Sequence, residues 1–238
     1  MALPPQTLGS FAVAADVFTM LVLLAPWLTA VPAIYKSREV GRRSPLPNIA
    51  AVLSCCVGLL YGCSRRDGLV IGGVNVAGAV MQAGYVGVFV YFSPAWRLVL
   101  VQCAVATVTY AALICFHLFG LIDAGGLAYA AGACAWLVPT MIFYNVSKVW
   151  KDMSMECMPH VIVPVLSLVS TPLWIVYAYG GKELNNYVRL PNCLGLAYAL
   201  LQVGLHGYFW KRGREQTNID ERAPLLEGRS VDPAATDC

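Results

Sequence analysis

Two asparagines, Asn75 and Asn192, stand 117 residues apart in stretches that contain no Asp, Glu, Lys or Arg. A carboxamide offers two donors and an acceptor, which matches the needs of a polyol or a sugar ring. In lipid such a group must be satisfied by protein or solute, so it points inward. The alternative role is an interhelical hydrogen bond that holds a bundle together, worth about 1 kcal/mol. Residue type alone leaves both open. Gln82 and Gln202 are further amides of the same kind and read as packing residues. The chain has no HExxH, GxSxG, P-loop or GxGxxG pattern, so no enzyme is expected. His117, His160 and His206 are scattered, and no metal or other cofactor is expected. The nine cysteines form no CxxC pair, and seven lie within apolar stretches, where they read as small packing residues.

The elements that must position these groups follow from charge. Of 238 residues, 58% are hydrophobic and 12% charged, against roughly 45–50% and about 25% in soluble domains. The net charge of +3 implies no nucleic-acid partner. Seven stretches lack charge: 17–35, 44–64, 68–96, 98–122, 124–147, 157–181 and 190–210. A helix needs about 20 mostly apolar residues to cross a bilayer. None of the seven shows the polar face of a soluble helix, and runs this long are not barrel strands. The chain therefore reads as an all-α membrane protein of seven transmembrane helices. Residues 1–10 hold no Lys or Arg, so helix 1 is not a cleavable signal peptide. Ten basic residues fall in the loops and tail on one side and four on the other, which predicts an outer or luminal N-terminus and a cytosolic C-terminus. The sequon Asn145-Val146-Ser147 falls on the cytosolic side, so no glycan is expected. Residues 211–238, with five basic and six acidic side chains, read as a disordered cytosolic tail. Asp16 and Asp123 fall at span edges and Glu156 in a loop. Without an intramembrane carboxylate, uncoupled transport is favoured over proton or sodium coupling.

The sequence also repeats. Pro47/Pro159, Tyr61/Tyr177, Asn75/Asn192 and Gly78/Gly195 are offset by 112, 116, 117 and 117, and Pro26/Pro139 by 113. Helices 1–3 and 5–7 are thus two copies of one unit. Three is an odd number, so one intervening helix is needed for both copies to face the same way, and helix 4 supplies it. The expected domains are 1–95, a linker helix at 96–123, 124–210, and the tail. Pro26, Pro47, Pro139 and Pro159 would weaken helices at matched points and act as hinges, although prolines are also common in membrane helices. Tyr61 and Tyr177, near the outer helix ends, serve either as an outer gate or as interfacial belt residues.

Several motifs in this order and spacing resemble the SWEET (MtN3/saliva) sugar facilitators over about residues 11–210. They are Ala25-Pro26, Ser44-Pro45-Leu46-Pro47, Leu60-Tyr61-Gly62, Val74-Asn75-Val76-Ala77-Gly78, Tyr85, Met153 to Pro159, Trp174-Ile175-Val176-Tyr177 and Pro191-Asn192-Cys193-Leu194-Gly195. That family is a known instance of parallel repeats. The resemblance implies two parallel three-helix bundles and passive, bidirectional movement of mono- or disaccharides by alternating access. It places substrate at Asn75 and Asn192 near mid-membrane, with the sugar ring against Trp174. It sets Gly58, the first-repeat counterpart of Trp174, where a small polar residue is usual, so a larger pocket is expected. It also implies self-association, with sugar and bilayer as the other partners. Two rivals differ in class. A PQ-loop amino-acid carrier would show Pro-Gln in helices 1 and 5, which read Ala25-Pro26-Trp27 and Val138-Pro139-Thr140. The other is a seven-helix binding receptor: a signalling receptor rarely has a triple-helix repeat, and a cargo-retrieval receptor for acidic peptides would need charge in its cavity. In the tail, Glu221, Leu225 and Leu226 match an acidic dileucine signal read by clathrin adaptors, which makes endolysosomal or vacuolar membranes candidates beside the plasma membrane.

Overall fold

The computed structural model describes residues 4–64, 69–153, 155, 158–180 and 186–227. Its elements are seven helices: α1 (Pro5–Ser37), α2 (Leu46–Cys63), α3 (Leu69–Phe92), α4 (Trp96–Leu118), α5 (Ala124–Asp152), α6 (Ile162–Gly180) and α7 (Asn186–Glu227). All seven are long and apolar enough to cross a membrane.

Local chemistry sets several boundaries. α1 opens on Pro5, where a missing N–H costs nothing. α5 opens on Asp123, whose side chain accepts the Gly126 N–H at 2.8 Å. α1 and α5 stop in the same way. Arg38 and Met153 adopt the left-handed conformation, at φ 59° and 48°. Each donates its N–H to the carbonyl four residues back, on Ile34 and Val149, and both of those side chains are fully buried. The two stops lie 115 residues apart, and the starts of α3 and α7 lie 117 apart. Both values fall among the offsets of the sequence repeat.

The packing carries the same symmetry. α3 lies against both α1 and α2, and α7 against both α5 and α6. Between the bundles, α1 packs on α6 and α2 on α5. Exchanging α1–α3 with α5–α7 returns the same pattern, as two parallel three-helix bundles about a two-fold axis require. Linker α4 joins the first bundle through Ile49, Val86 and Val99, and turns Leu98, Val101, Val105 and Val108 outward.

The bundles meet differently at their two ends. At the end where α1 begins, Leu53, Val57 and Tyr61 of α2 bury against Leu127, Ala131 and Cys134 of α5. Ala15 of α1 buries there with Trp174 and Ala178 of α6 and Val188 of α7. At the opposite end the buried clusters stay within one bundle. Val31, Ile34, Val40, Tyr85 and Phe89 form one, and Val146, Val149, Met158 and Leu205 the other. There an ion pair from Arg42 to Asp152 links the bundles.

Four expectations change. Pro26 and Pro139 lie inside α1 and α5, but Pro47 is in the first turn of α2 and Pro159 precedes α6. A proline there removes no helical hydrogen bond, so of these four only Pro26 and Pro139 can kink a helix, as can Pro32 of α1 and Pro172 of α6. Pro26 sits 12 residues before its helix stop and Pro139 sits 14 before its own, so the two are out of register. Asp16 does not lie at the end of its helix. α1 starts earlier than the charge gap implied, and Asp16 lies eleven residues, about 16 Å, inside it. Finally, α7 continues as helix through Glu227, across Glu221, Leu225 and Leu226, where a disordered tail is expected. Glu215, Gln216, Glu221, Arg222 and Ala223 are good helix formers. Residues 228–238 lie outside those described.

Met153 has no glycine-like freedom at its positive φ, and its side chain is exposed. Met153→Gly should stabilise the protein by about 1 kcal/mol. In detergent this is read as a rise of a few degrees in Tm. An unchanged or lower Tm would show that the side chain's contacts outweigh the strain.

Candidate functional site

Gly58, Asn75, Trp174 and Asn192 come from four helices but share one level. Gly58 lies five residues before the end of α2 and Trp174 six before the end of α6. Asn75 and Asn192 each lie six residues after the start of α3 and α7. At 1.5 Å per residue this layer is about 9 Å inside the helix ends. It sits about a third of the way along α2 and α6, nearer the sealed end than their midpoints.

Three contacts tie the layer together. A Cβ on Gly58 would fall 2.8 Å from Asn75 Oδ1 and 2.9 Å from Nδ2. The amide therefore already occupies the space over this glycine, and the larger pocket expected at Gly58 is not vacant. Val74, the neighbour of Asn75, packs on the cluster of Ala15, Trp174, Ala178 and Val188. Asn192 donates from Nδ2 to the Val188 carbonyl at 2.7 Å. The glycines further along the asparagine helices are also matched. A Cβ on Gly78 would press on Cys55 Sγ of α2 at 2.8 Å, and one on Gly195 would meet Thr171 of α6 at 3.3 Å. Both let the third helix of a bundle lie close on the second.

Trp174 is 8% exposed and meets Tyr177 edge-on, with ring centroids 5.6 Å apart. Its indole N–H donates to Thr19 Oγ1 of α1 at 2.9 Å. Thr19 gives its own proton to the Ala15 carbonyl at 2.8 Å. The 2.8 Å contact between Thr19 and Ser170 hydroxyls is therefore donated by Ser170. One hydroxyl on the first bundle thus accepts from two side chains on the second. Thr19 and Ser170 were missed in the sequence. Their one visible signal is a hydroxyl within an apolar span, which Thr29 and Ser167 share, and those two only bond back along their own helices.

Tyr61 is buried in the α2–α5 contact, and Tyr177 packs on the α1–α6–α7 cluster. The repeat-related tyrosines thus occupy the two halves of one seal. Pro159 serves elsewhere: its carbonyl lies 3.1 Å from His206 Nε2 of α7. Gln202 is buried and Gln82 half-buried. Asp16 Oδ1 is buried with no hydrogen-bond partner among the described residues. Among those residues no group of three metal-binding side chains occurs.

Residues 6–97 match the family described as a sugar efflux transporter for intercellular exchange. The rice protein named bidirectional sugar transporter SWEET2b is 29% identical over 224 residues, covering 90% of this chain and 93% of its own. Bidirectional sugar transporter N3 of Medicago truncatula is 25% identical over 238 residues, covering 97% and 87%. The solved structure of a eukaryotic SWEET transporter superposes with a TM-score of 0.70 at 21% identity, covering 86% of this chain and 97% of its own.

Thr19 as a double acceptor makes a stability prediction. Thr19→Val removes both inter-bundle bonds and should cost about 1–2 kcal/mol, measured by thermal unfolding in detergent. Ser170→Ala in the Thr19→Val background should then cost little more. Full additivity of the two substitutions would show that the hydroxyls are not coupled.

Proposed function

We propose that the chain is a member of the SWEET, or MtN3/saliva, family, which residues 6–97 match and whose members it resembles along most of its length, and that it moves neutral sugars across a membrane. The movement runs down the sugar gradient, in either direction, by alternating access. The observation that supports this most is the layer itself: two carboxamides and an indole at one level, drawn from both bundles, just inside a seal that closes one end. Asn75 and Asn192 supply donors and acceptors for sugar hydroxyls, and the Trp174 ring supplies a face for the sugar's C–H groups. Gly58 acts by making room for the Asn75 amide. Of the four matched prolines, Pro26 and Pro139 carry the hinge action.

In the conformation described, Trp174 is engaged with Thr19 and its ring is buried. Admitting sugar from the sealed side therefore requires α1 to part from α6 and α2 from α5, with Tyr61 and Tyr177 as the gate. At the other end the Arg42–Asp152 pair joins partly exposed side chains. Such pairs contribute at most about 1 kcal/mol, so this end opens readily. By the distribution of Lys and Arg, the sealed end faces outside or a lumen and the C-terminus the cytosol. Self-association and adaptor recognition of Glu221, Leu225 and Leu226 remain parts of this proposal, as does residence in the plasma, endolysosomal or vacuolar membrane.

Asp16 favours one second reading, a carrier that moves a proton with its solute. Its carboxyl lies within α1 with one oxygen unpartnered, and such residues often serve proton relays.

Uptake of labelled hexose and sucrose into proteoliposomes tests both. Asn75→Ala and Asn192→Ala should each reduce flux at least about tenfold. Gly58→Val should match Asn75→Ala by displacing that amide. Normal flux in a well-expressed double asparagine variant would remove the site. An imposed pH gradient should drive no accumulation. Accumulation that disappears in Asp16→Asn would establish coupled transport instead.

A further inference from the structure

The outer corner of the α2–α5 seal holds a histidine with an unusual set of partners. His117, in the last turn of α4, places Nδ1 3.1 Å from the Ile122 carbonyl and Nε2 3.2 Å from Ser64 Oγ. Ser64 is the C-cap of α2, and Ile122 is the second residue before α5. Ile122 also packs on the cluster of Leu53, Val57, Tyr61, Leu127, Ala131 and Cys134 that forms the seal. The ring therefore ties the first bundle to the start of the second at the point where outward opening must separate them.

Proton counting shows what charge this arrangement requires. A carbonyl only accepts, so Nδ1 must carry a proton for Ile122. Ser64 has one hydroxyl proton, directed at the Leu60 carbonyl at 2.9 Å. Its oxygen can then only accept from Nε2. All three bonds exist together only when both ring nitrogens are protonated. A neutral ring keeps its proton on Nδ1, and Ser64 must leave either Leu60 or His117. Protonation thus adds one bond to the sealed arrangement. Imidazole is the side chain that ordinarily changes charge between about pH 5 and 8.

Among the described residues, few charged or titratable groups surround the ring. From α5 the neighbour is Asp123, which precedes α5 and holds the Gly126 N–H. α4 itself contributes Cys115 and Tyr110, and α2 contributes Cys63 and Tyr61, the tyrosine being buried in the seal. α3 has no titratable side chain before Tyr85. Arg65, Arg66 and Asp67 follow Ser64 but lie outside the described residues.

We propose that His117 is a proton-operated latch on the outer seal, so that acid on the face where α1 begins holds that mouth shut and slows transport. The effect on flux rests on the carrier reading above, while the latch itself does not. Acid adds a bond to the sealed form, so closure strengthens as pH falls and weakens as the ring loses its proton. This differs from proton coupling at Asp16, because the latch responds to the pH of one face and needs no gradient.

The test uses oriented proteoliposomes with the pH of each face set separately. Lowering the α1-start face from pH 7.5 to 5.5 should slow hexose flux on the order of fivefold. The same change on the other face should have no such effect. His117→Gln keeps a polar side chain but cannot charge, and should give a flat profile with flux near the wild-type value at pH 7.5. Ser64→Ala should flatten it too, which guards against a folding defect in the first variant. Separately, spin labels on the outer ends of α2 and α5 should move closer on acidification in the wild type and not in His117→Gln. An unchanged wild-type label distance, or an acid response kept in both variants, overturns the latch. Absence of flux at every pH together with an intact distance response would overturn the carrier reading and leave the latch standing.

Discussion

A bilayer gives helices no hydrophobic reason to associate, because lipid tails are as apolar as leucine. What holds two bundles in one relation is close packing and the few polar groups that must find partners within the protein. Here that role falls on the Thr19 hydroxyl, which accepts from Trp174 and Ser170 while donating to its own helix. The bonds cross from one bundle to the other, so they set the approach of α1 to α6. With α1 fixed on α6, the two-fold relation brings α2 onto α5, with Tyr61 buried and Tyr177 half-buried at matched places. The polar layer is then covered from the end where α1 begins.

The duplicated architecture holds an unequal site. The glycines that let α3 and α7 approach their neighbours are matched, as are the left-handed stops of α1 and α5 and the depth of the two asparagines. The matched level across from the asparagines is occupied by Gly58 in one bundle and Trp174 in the other. In the first bundle the amide lies directly over the helix backbone. In the second, an indole fills that volume and reaches across to α1. A symmetric frame with an indole at one position and a carboxamide over the other gives an asymmetric cleft, which suits a sugar ring whose two faces differ.

Much of this was legible in the chain, and what was not has physical causes. Gaps in charge reveal spans because a bilayer excludes charge over a known thickness. They mark the region a helix must not charge, though, not where the helix begins. α1 therefore extends beyond its gap and carries Asp16 inside. The repeat offsets located the asparagine pair because the third helices begin in the same register. Pro47 and Pro159 were misjudged because spacing cannot tell a proline in a first turn from one in mid-helix. Gly58 was read as space because a missing side chain says nothing about what moves in. Thr19 and Ser170 were invisible because a hydroxyl in an apolar span usually bonds back to its own helix, as Thr29 and Ser167 do. Whether it crosses to another helix depends on packing.

The unlike chemistry of the two ends bears on how such a frame could alternate. The sealed end is apolar and aromatic, with hydrogen bonds buried inside it, so opening it exposes both apolar surface and donors that lose partners. The other end is joined by Arg42 and Asp152, which stay partly exposed to solvent and give up little on parting. A carrier needs its two states within a few kcal/mol of each other. Something must then offset the greater cost of opening the sealed end, and the layer beneath it is placed to do so. A solute that satisfies Asn75 and Asn192 and covers Trp174 would replace part of what the seal loses. In that arrangement the substrate is itself a component of the opening step, because its hydroxyls and C–H face stand in for the partners that the bundles give up.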